Sequence, residues 1–271
     1  MNIHFSSESI GIMVFVAAVC TLLPLIYLGY FKAKTGAKLS SFFIGIGFSV
    51  LFSFLGEYLV NITLLVSLGL GKLIHPSIHP VYAAIYYSIT AGIMAELGSY
   101  VALRYCMKSR PGKENAFAFG LGKGGFECII YGGIVYITNI ILALFVNAFG
   151  VDNYLQRLGI PEAELATQRD SIATLANIPK ELHLLDGSTR VLALIMQAAL
   201  AILVYMAVTY KPYFKFFPIA IVLHIIGYLP MYLKEVKLLN NTALIMSITI
   251  IYTFLIAAFA YRIYHSTEKN N

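Results

Sequence analysis

Charge is what this sequence has least of. Its 271 residues include 19 Lys or Arg and 13 Asp or Glu, a charged share of 12%, where soluble domains carry about 25%. A soluble domain of this length must cover its surface with charged and amide groups, and this chain cannot supply them. Low hydrophobicity is missing too: 59% of the residues are hydrophobic, which excludes intrinsic disorder. No repeat accompanies the 21 Gly and 9 Pro, so a fibrous protein is also excluded. Cysteine is scarce. Cys20, Cys106 and Cys128 fall in or at the edge of apolar stretches without CxxC spacing, which is neither a disulfide framework nor a zinc-finger pattern. They read as small buried hydrophobes. The net charge is +6, but no cluster of basic residues is interleaved with aromatics, so no nucleic-acid partner is expected. Residues 1–8 hold no Lys or Arg and no small-residue cleavage site ends the first apolar run, so a cleaved signal peptide is not expected.

What the chain does have is long apolar runs, and about 20 such residues as helix cross the hydrocarbon core of a bilayer. Between Glu8 and Lys32 lie 23 uncharged residues, predicting a first span near 9–31. The next spans are expected near 40–65, interrupted only by Glu57, and from Pro80 to about Met107, with Glu96 and Arg104 inside. Pro80 suits a first helical turn, where its missing N–H costs nothing. Residues 115–151, interrupted only by Lys123 and Glu127, are too long for one upright helix and short for two. Their glycine-rich first half predicts one crossing helix with a bent or broken entry. Residues 152–188 carry six acidic and three basic residues with Pro161 and Pro179, and are expected to form an extramembrane loop. Three more spans are expected near 190–210, 216–233 and 239–263. The fold class is thus an all-α polytopic transmembrane helix bundle of about seven helices, one integral membrane domain over 1–271. Basic residues, from Lys32 to Lys269, favour the flanks after the odd-numbered spans by ten to seven. By the positive-inside rule this puts the N-terminus outside and the C-terminus in the cytoplasm.

Ionisable residues inside spans are costly and usually face the bundle interior, so each is a candidate for function. Here they are Glu57, Glu96, Arg104, Lys123, Glu127 and His224, with Asn61, Ser99, Asn139 and Gln197 as polar support. Lys123 and Glu127 stand i,i+4 apart and can pair on one helix face; Glu57 and Asn61, and Glu96 and Tyr100, share that spacing. Arg104, near a span end, is expected to snorkel to the headgroups. Buried carboxylates need a partner or a proton, and Glu57 and Glu96 on different helices point to one shared polar cavity. His75 and His79 are also four apart, but Pro76 opposes the helix a metal pair would need.

These polar positions, in order and spacing, resemble the YhfC family of bacterial intramembrane metalloproteases, itself similar to the CAAX-protease and bacteriocin-processing membrane enzymes. The resemblance covers nearly the whole chain. It rests on Gly56-Glu57-Tyr58 followed by Asn61, and on Ala95-Glu96-Leu97-Gly98-Ser99-Tyr100 in place of a Glu-Glu-x-x-Arg-Tyr-like element. Its most specific part is Gly120-Leu121-Gly122-Lys123-Gly124-Gly125-Phe126-Glu127, in place of Gly-x-Gly-His-Gly-Gly-x-Glu. Arg190 through Gln197 and His224 through Tyr228 complete it. The resemblance implies peptide-bond hydrolysis in a membrane cavity, zinc as cofactor, a membrane peptide or protein as substrate, lipid as surroundings and a bacterial plasma membrane as location. It assigns catalytic roles to Glu96, Glu127 and His224, with His224 a possible metal ligand, and a cavity lined by Glu57, Asn61, Ser99, Lys123, Arg190 and Gln197.

The departures from the family pattern are chemical. Ala95, Ser99, Lys123, Gln197 and Tyr228 stand where the pattern has Glu, Arg, His, His and an acidic residue. Zinc hydrolysis needs about three N, S or O ligands and an open position for water. A protonated lysine offers no lone pair, and glutamine is at best a weak neutral ligand. The residues therefore leave open an intramembrane protease with a rebuilt site and a non-catalytic relative that binds a membrane peptide, lipid or partner. An ion-coupled transporter is less favoured, because no inverted repeat is visible.

Overall fold

The computed structural model describes residues 3–266, and every regular element among them is helical. Nine helices follow in chain order. They are α1 (Ser7–Thr35), α2 (Leu39–Ser67), α3 (Pro80–Val101, continued by Ala102–Cys106), α4 (Lys113–Phe149), α5 (Val151–Arg157), α6 (Glu162–Ala176), α7 (Lys180–Thr209), α8 (Phe216–Glu235) and α9 (Thr242–Ser266). In a bilayer every backbone N–H and C=O must be satisfied within the segment, and a helix achieves this alone. Each of the seven expected spans is a helix in this structure, and six are long and apolar enough to cross a membrane. The remaining one, α3, is diluted by Tyr82, Tyr86, Tyr87 and Glu96. It opens at Pro80 in the first turn, as the sequence predicts. Lys269 lies outside the described residues.

Two expectations change. The glycine-rich entry to α4 is helical throughout, so residues 113–149 form one helix of 37 residues without a non-helical break. The irregularity moves to Cys128–Ile134, where the turns widen to π geometry at Gly132 and Gly133. Widened turns also flank Glu57 in α2, at Ser49–Gly56 and Ile62–Ser67. Residues 152–188 are mostly helical: they build α5, α6 and the first turns of α7, which starts at Lys180.

The chain divides into two compact units, Met1–Leu23 with Cys128–Val191, and Pro24–Glu127 with Leu192–Asn271. In the first, Phe5, Met13, Val16 and Cys20 of the N-terminal segment pack with Tyr136, Val146, Leu155 and Ile172. The Phe5 backbone is tied at both ends to the Asn147 amide, N–H to Oδ1 and Nδ2–H to C=O, each at 2.8 Å. Lys180 pairs with Glu8 at 2.6 Å. In the second unit α7 is the central helix. Ala198 to Val204 are buried on every face of its turns, among Phe119, Met196, Phe216 and Ala220. Close helix approach here depends on small residues. A Cβ on Gly45 of α2 would overlap the Phe119 carbonyl of α4, and one on Gly122 of α4 would overlap the Phe42 carbonyl of α2.

Candidate functional site

The glycines of α4 decide where its polar side chains go. Gly120 and Gly124 lie one turn apart, and an added Cβ on either would stand within 2.7 Å of the α7 backbone, at Ala198 and Leu194. Gly122 and Gly125 face Phe42 of α2. With both flanks stripped of side chains, α4 seats between its neighbours. Lys123, whose stem alone is large enough to fill a core position, is carried into the interior at 2% exposure.

There the Lys123 ammonium donates to Glu96 Oε1 at 2.8 Å and to Ser99 Oγ at 2.9 Å. The same carboxylate oxygen stands 2.7 Å from His224 Nδ1. Glu96, Ser99 and His224 are each no more than 1% exposed. Glu96 and Ser99 share a face of α3 three residues apart, and the Ser99 hydroxyl also reaches the Ala95 carbonyl at 3.0 Å. One turn along α4 and α8 lies a second polar group. Tyr228 donates to Glu127 Oε2 at 2.7 Å, and the Gln197 amide donates to Glu127 Oε1 at 3.1 Å and contacts the Tyr228 hydroxyl at 3.3 Å. The rings of His224 and Tyr228, four residues apart, stack at 4.7 Å. Thus α3, α4, α7 and α8 contribute to one polar core. On α2, Glu57 interacts with Asn61 and feels the charge of Glu127, and Tyr86 donates to Asn61 Oδ1 at 2.9 Å.

The structure therefore brings together Glu96, Ser99, Lys123, Glu127, Gln197 and His224, with Glu57 and Asn61 on the adjoining helix. It corrects the expected i,i+4 pairing of Lys123 with Glu127. The lysine reaches across to Glu96, and Glu127 is held by an amide and a phenol. Tyr228, which the sequence offers only as the replacement for an acid, proves to be the hydroxyl that holds Glu127. The signal for it was its position four residues after His224. Arg190 belongs to the other unit, where it pairs with Asp186 at 3.3 Å and lies over the Tyr131 ring at 5.1 Å. Arg104 stands at the end of α3 with Tyr100 and Tyr105, in keeping with an interfacial residue. His75 and His79 are exposed, and His75 Nδ1 accepts the Ser77 N–H.

The model of the family described as YhfC intramembrane metalloprotease matches residues 19–249. The chain belongs to the YhfC family. It is 30% identical over 239 residues to a Bacillus subtilis (strain 168) protein named "Uncharacterized membrane protein YhfC", covering 88% of this chain and 90% of that protein. No solved structure matches.

The residues of this YhfC member do not fit a zinc ion. Among the described residues no three His, Cys, Asp or Glu side chains come together as a ligand set. Glu96 Oε1 is taken up by the lysine ammonium and the histidine together. Two buried acceptors in the core have no hydrogen-bond partner, Glu96 Oε2 and Gln197 Oε1. One is anionic and one is a neutral amide. A dication bound through Glu96 would stand beside an ammonium already 2.8 Å from that carboxylate, a repulsion that a dry interior screens little.

Proposed function

We propose that this chain is a YhfC-family membrane protein that has exchanged zinc-dependent peptide hydrolysis for non-catalytic recognition of a membrane polypeptide. The observation that carries the reading is the Lys123 ammonium on Glu96. The cation that neutralises the central carboxylate is a side chain of the protein itself. A lysine held in this way has no lone pair for a metal, and a carboxylate so neutralised is a poor general base. His224 is bound to the same oxygen, so its Nδ1 is committed as well. The polar groups that stay half-buried beside this core are Glu57, Asn61 and Glu127 on α2 and α4, whose oxygens keep further lone pairs for a ligand. At membrane depth such acceptors favour a donor on an incoming helix, because lipid supplies none. The proposal includes the expected orientation, with the N-terminus outside and the C-terminus cytoplasmic.

The test is a cleavage assay on membrane-peptide substrates with the full chain reconstituted in lipid, beside Glu96→Gln and Glu127→Gln. The expected outcome is no cleavage above protein-free liposomes for any of the three. Cleavage by the parent chain that either substitution abolishes would overturn the reading. A photo-crosslinker at Asn61 supplies the positive arm: it should capture a membrane peptide, and less of it when Glu57→Gln is also present.

A further inference from the structure

At the end of the second unit's helices, away from the polar core in sequence and in partners, the structure holds a cavity of about 390 Å³. Small-molecule pockets run from about 300 to 1,000 Å³. Its charged lining is of one sign: Arg104, Lys108 and Arg110. Among the described residues none of these three pairs with a carboxylate. Arg104 lies near the rings of Tyr100 and Tyr105, at 5.9 and 6.0 Å, and Lys108 near Tyr105 at 5.8 Å. Arg110 donates only to neutral oxygens, Ser40 Oγ at 2.8 Å, the Cys106 carbonyl at 3.3 Å and Ser109 Oγ at 3.2 Å. Glu114 is not itself in the lining, but its Oε2 lies beside Gly112, which is, while its Oε1 accepts from the Tyr264 hydroxyl at 3.3 Å. The lining also includes the apolar Leu103, Met107 and Val208, beside Tyr205 and Thr209.

Among the described residues these three cations have no carboxylate partner, which calls for an anion, and the Arg104 guanidinium with the remaining Nη2 of Arg110 suits the oxygens of a phosphate. The apolar part of the lining and the place of the cavity, where α3 and α7 end, suit the rest of an amphiphile. Basic residues just beyond spans also attract anionic headgroups at about 1 kcal/mol each, or about five-fold in affinity. We propose that this cavity binds the phosphate headgroup of an anionic phospholipid, with Arg104, Lys108 and Arg110 as its ligands. The proposal is independent of the reading of the Glu96–Lys123 core.

It is tested on the full chain equilibrated with equal parts phosphatidylglycerol and phosphatidylcholine, with retained lipid counted by native mass spectrometry. Arg104→Gln/Arg110→Gln is the site variant, Lys32→Gln/Lys34→Gln removes two basic charges elsewhere, and thermal unfolding checks that both variants fold. A preference of the parent chain for phosphatidylglycerol that falls at least ten-fold in the site variant and holds in the control supports the proposal. An equal fall in the control would assign the preference to general surface charge and overturn it, as would no preference at all. Should the site variant fail to fold, Lys108→Gln, which is exposed, takes its place, with a fall of about five-fold expected. Inorganic phosphate is the second arm. Stabilisation by phosphate that needs Arg104 and Arg110, without any lipid preference, would replace the headgroup by a free phosphate.

Discussion

Lys123 is the residue on which the second unit's interior turns. Its ammonium is bound to Glu96 and Ser99 with 2% of the residue exposed, so removing either charge strands the other. Breaking a buried ion pair by deleting one partner costs about 3–5 kcal/mol. Lys123→Met should therefore lower the thermal midpoint of the purified protein sharply. Adding Glu96→Leu should recover much of the loss, because the pair leaves together; a double variant as unstable as the sum of the singles would contradict the pairing. Tyr228→Phe makes a milder case. It leaves Glu127 Oε2 without its 2.7 Å donor and should cost about 1–3 kcal/mol, measured in the same unfolding assay. The candidate residues of this core were legible in the sequence because ionisable groups at membrane depth are few. Their pairing was not. Spacing along one helix suggests Lys123 with Glu127, whereas the chosen partner is 27 positions away in sequence, set by how helices pack and invisible to any local rule.

At the scale of elements, α4 shows why the family pattern is rich in glycine. Gly120, Gly122 and Gly124 alternate between α7 and α2, and at each an added methyl would enter a neighbour's backbone or the carbon next to it. Overpacking of this kind costs about 1–3 kcal/mol and often more where only backbone can yield. Gly122→Ala should destabilise the protein by at least that amount in a denaturation assay. Gly29→Ala, in the interior of α1 where nothing lies within 4 Å, should instead leave stability unchanged or raise it by up to about 1 kcal/mol. The sequence marks these glycines as flexible and closely packable and predicts a bent or broken entry. The structure keeps the close packing without the break, since the absent side chains let a continuous helix sit close to its neighbours. Helix existence was plain from apolar runs, and the start of α3 from Pro80. The helical build of residues 152–188 was hidden by their polarity, which reads as loop when no apolar stripe is long enough to see.

For the molecule as a whole, the large apolar side chains left exposed mark the lipid-facing surface. Phe15, Ile26, Leu59, Val66, Ile251 and Leu255 are each more than half exposed, on helices long enough to span the hydrocarbon core. The proposed orientation, with basic flanks biased to one side, predicts that a reporter fused after the last helix is active only in the cytoplasm, and one fused ahead of α1 only outside. The opposite pattern would reverse the orientation and put the Arg104 cavity on the outer face.

A lysine ammonium stands on Glu96, at the position where the resembled YhfC pattern has a histidine. The most direct measurement is the zinc content of the full chain after dialysis against excess zinc. Far less than one equivalent per chain is expected, unchanged by Glu96→Gln or His224→Gln. One zinc per chain, lost on either substitution, would contradict it.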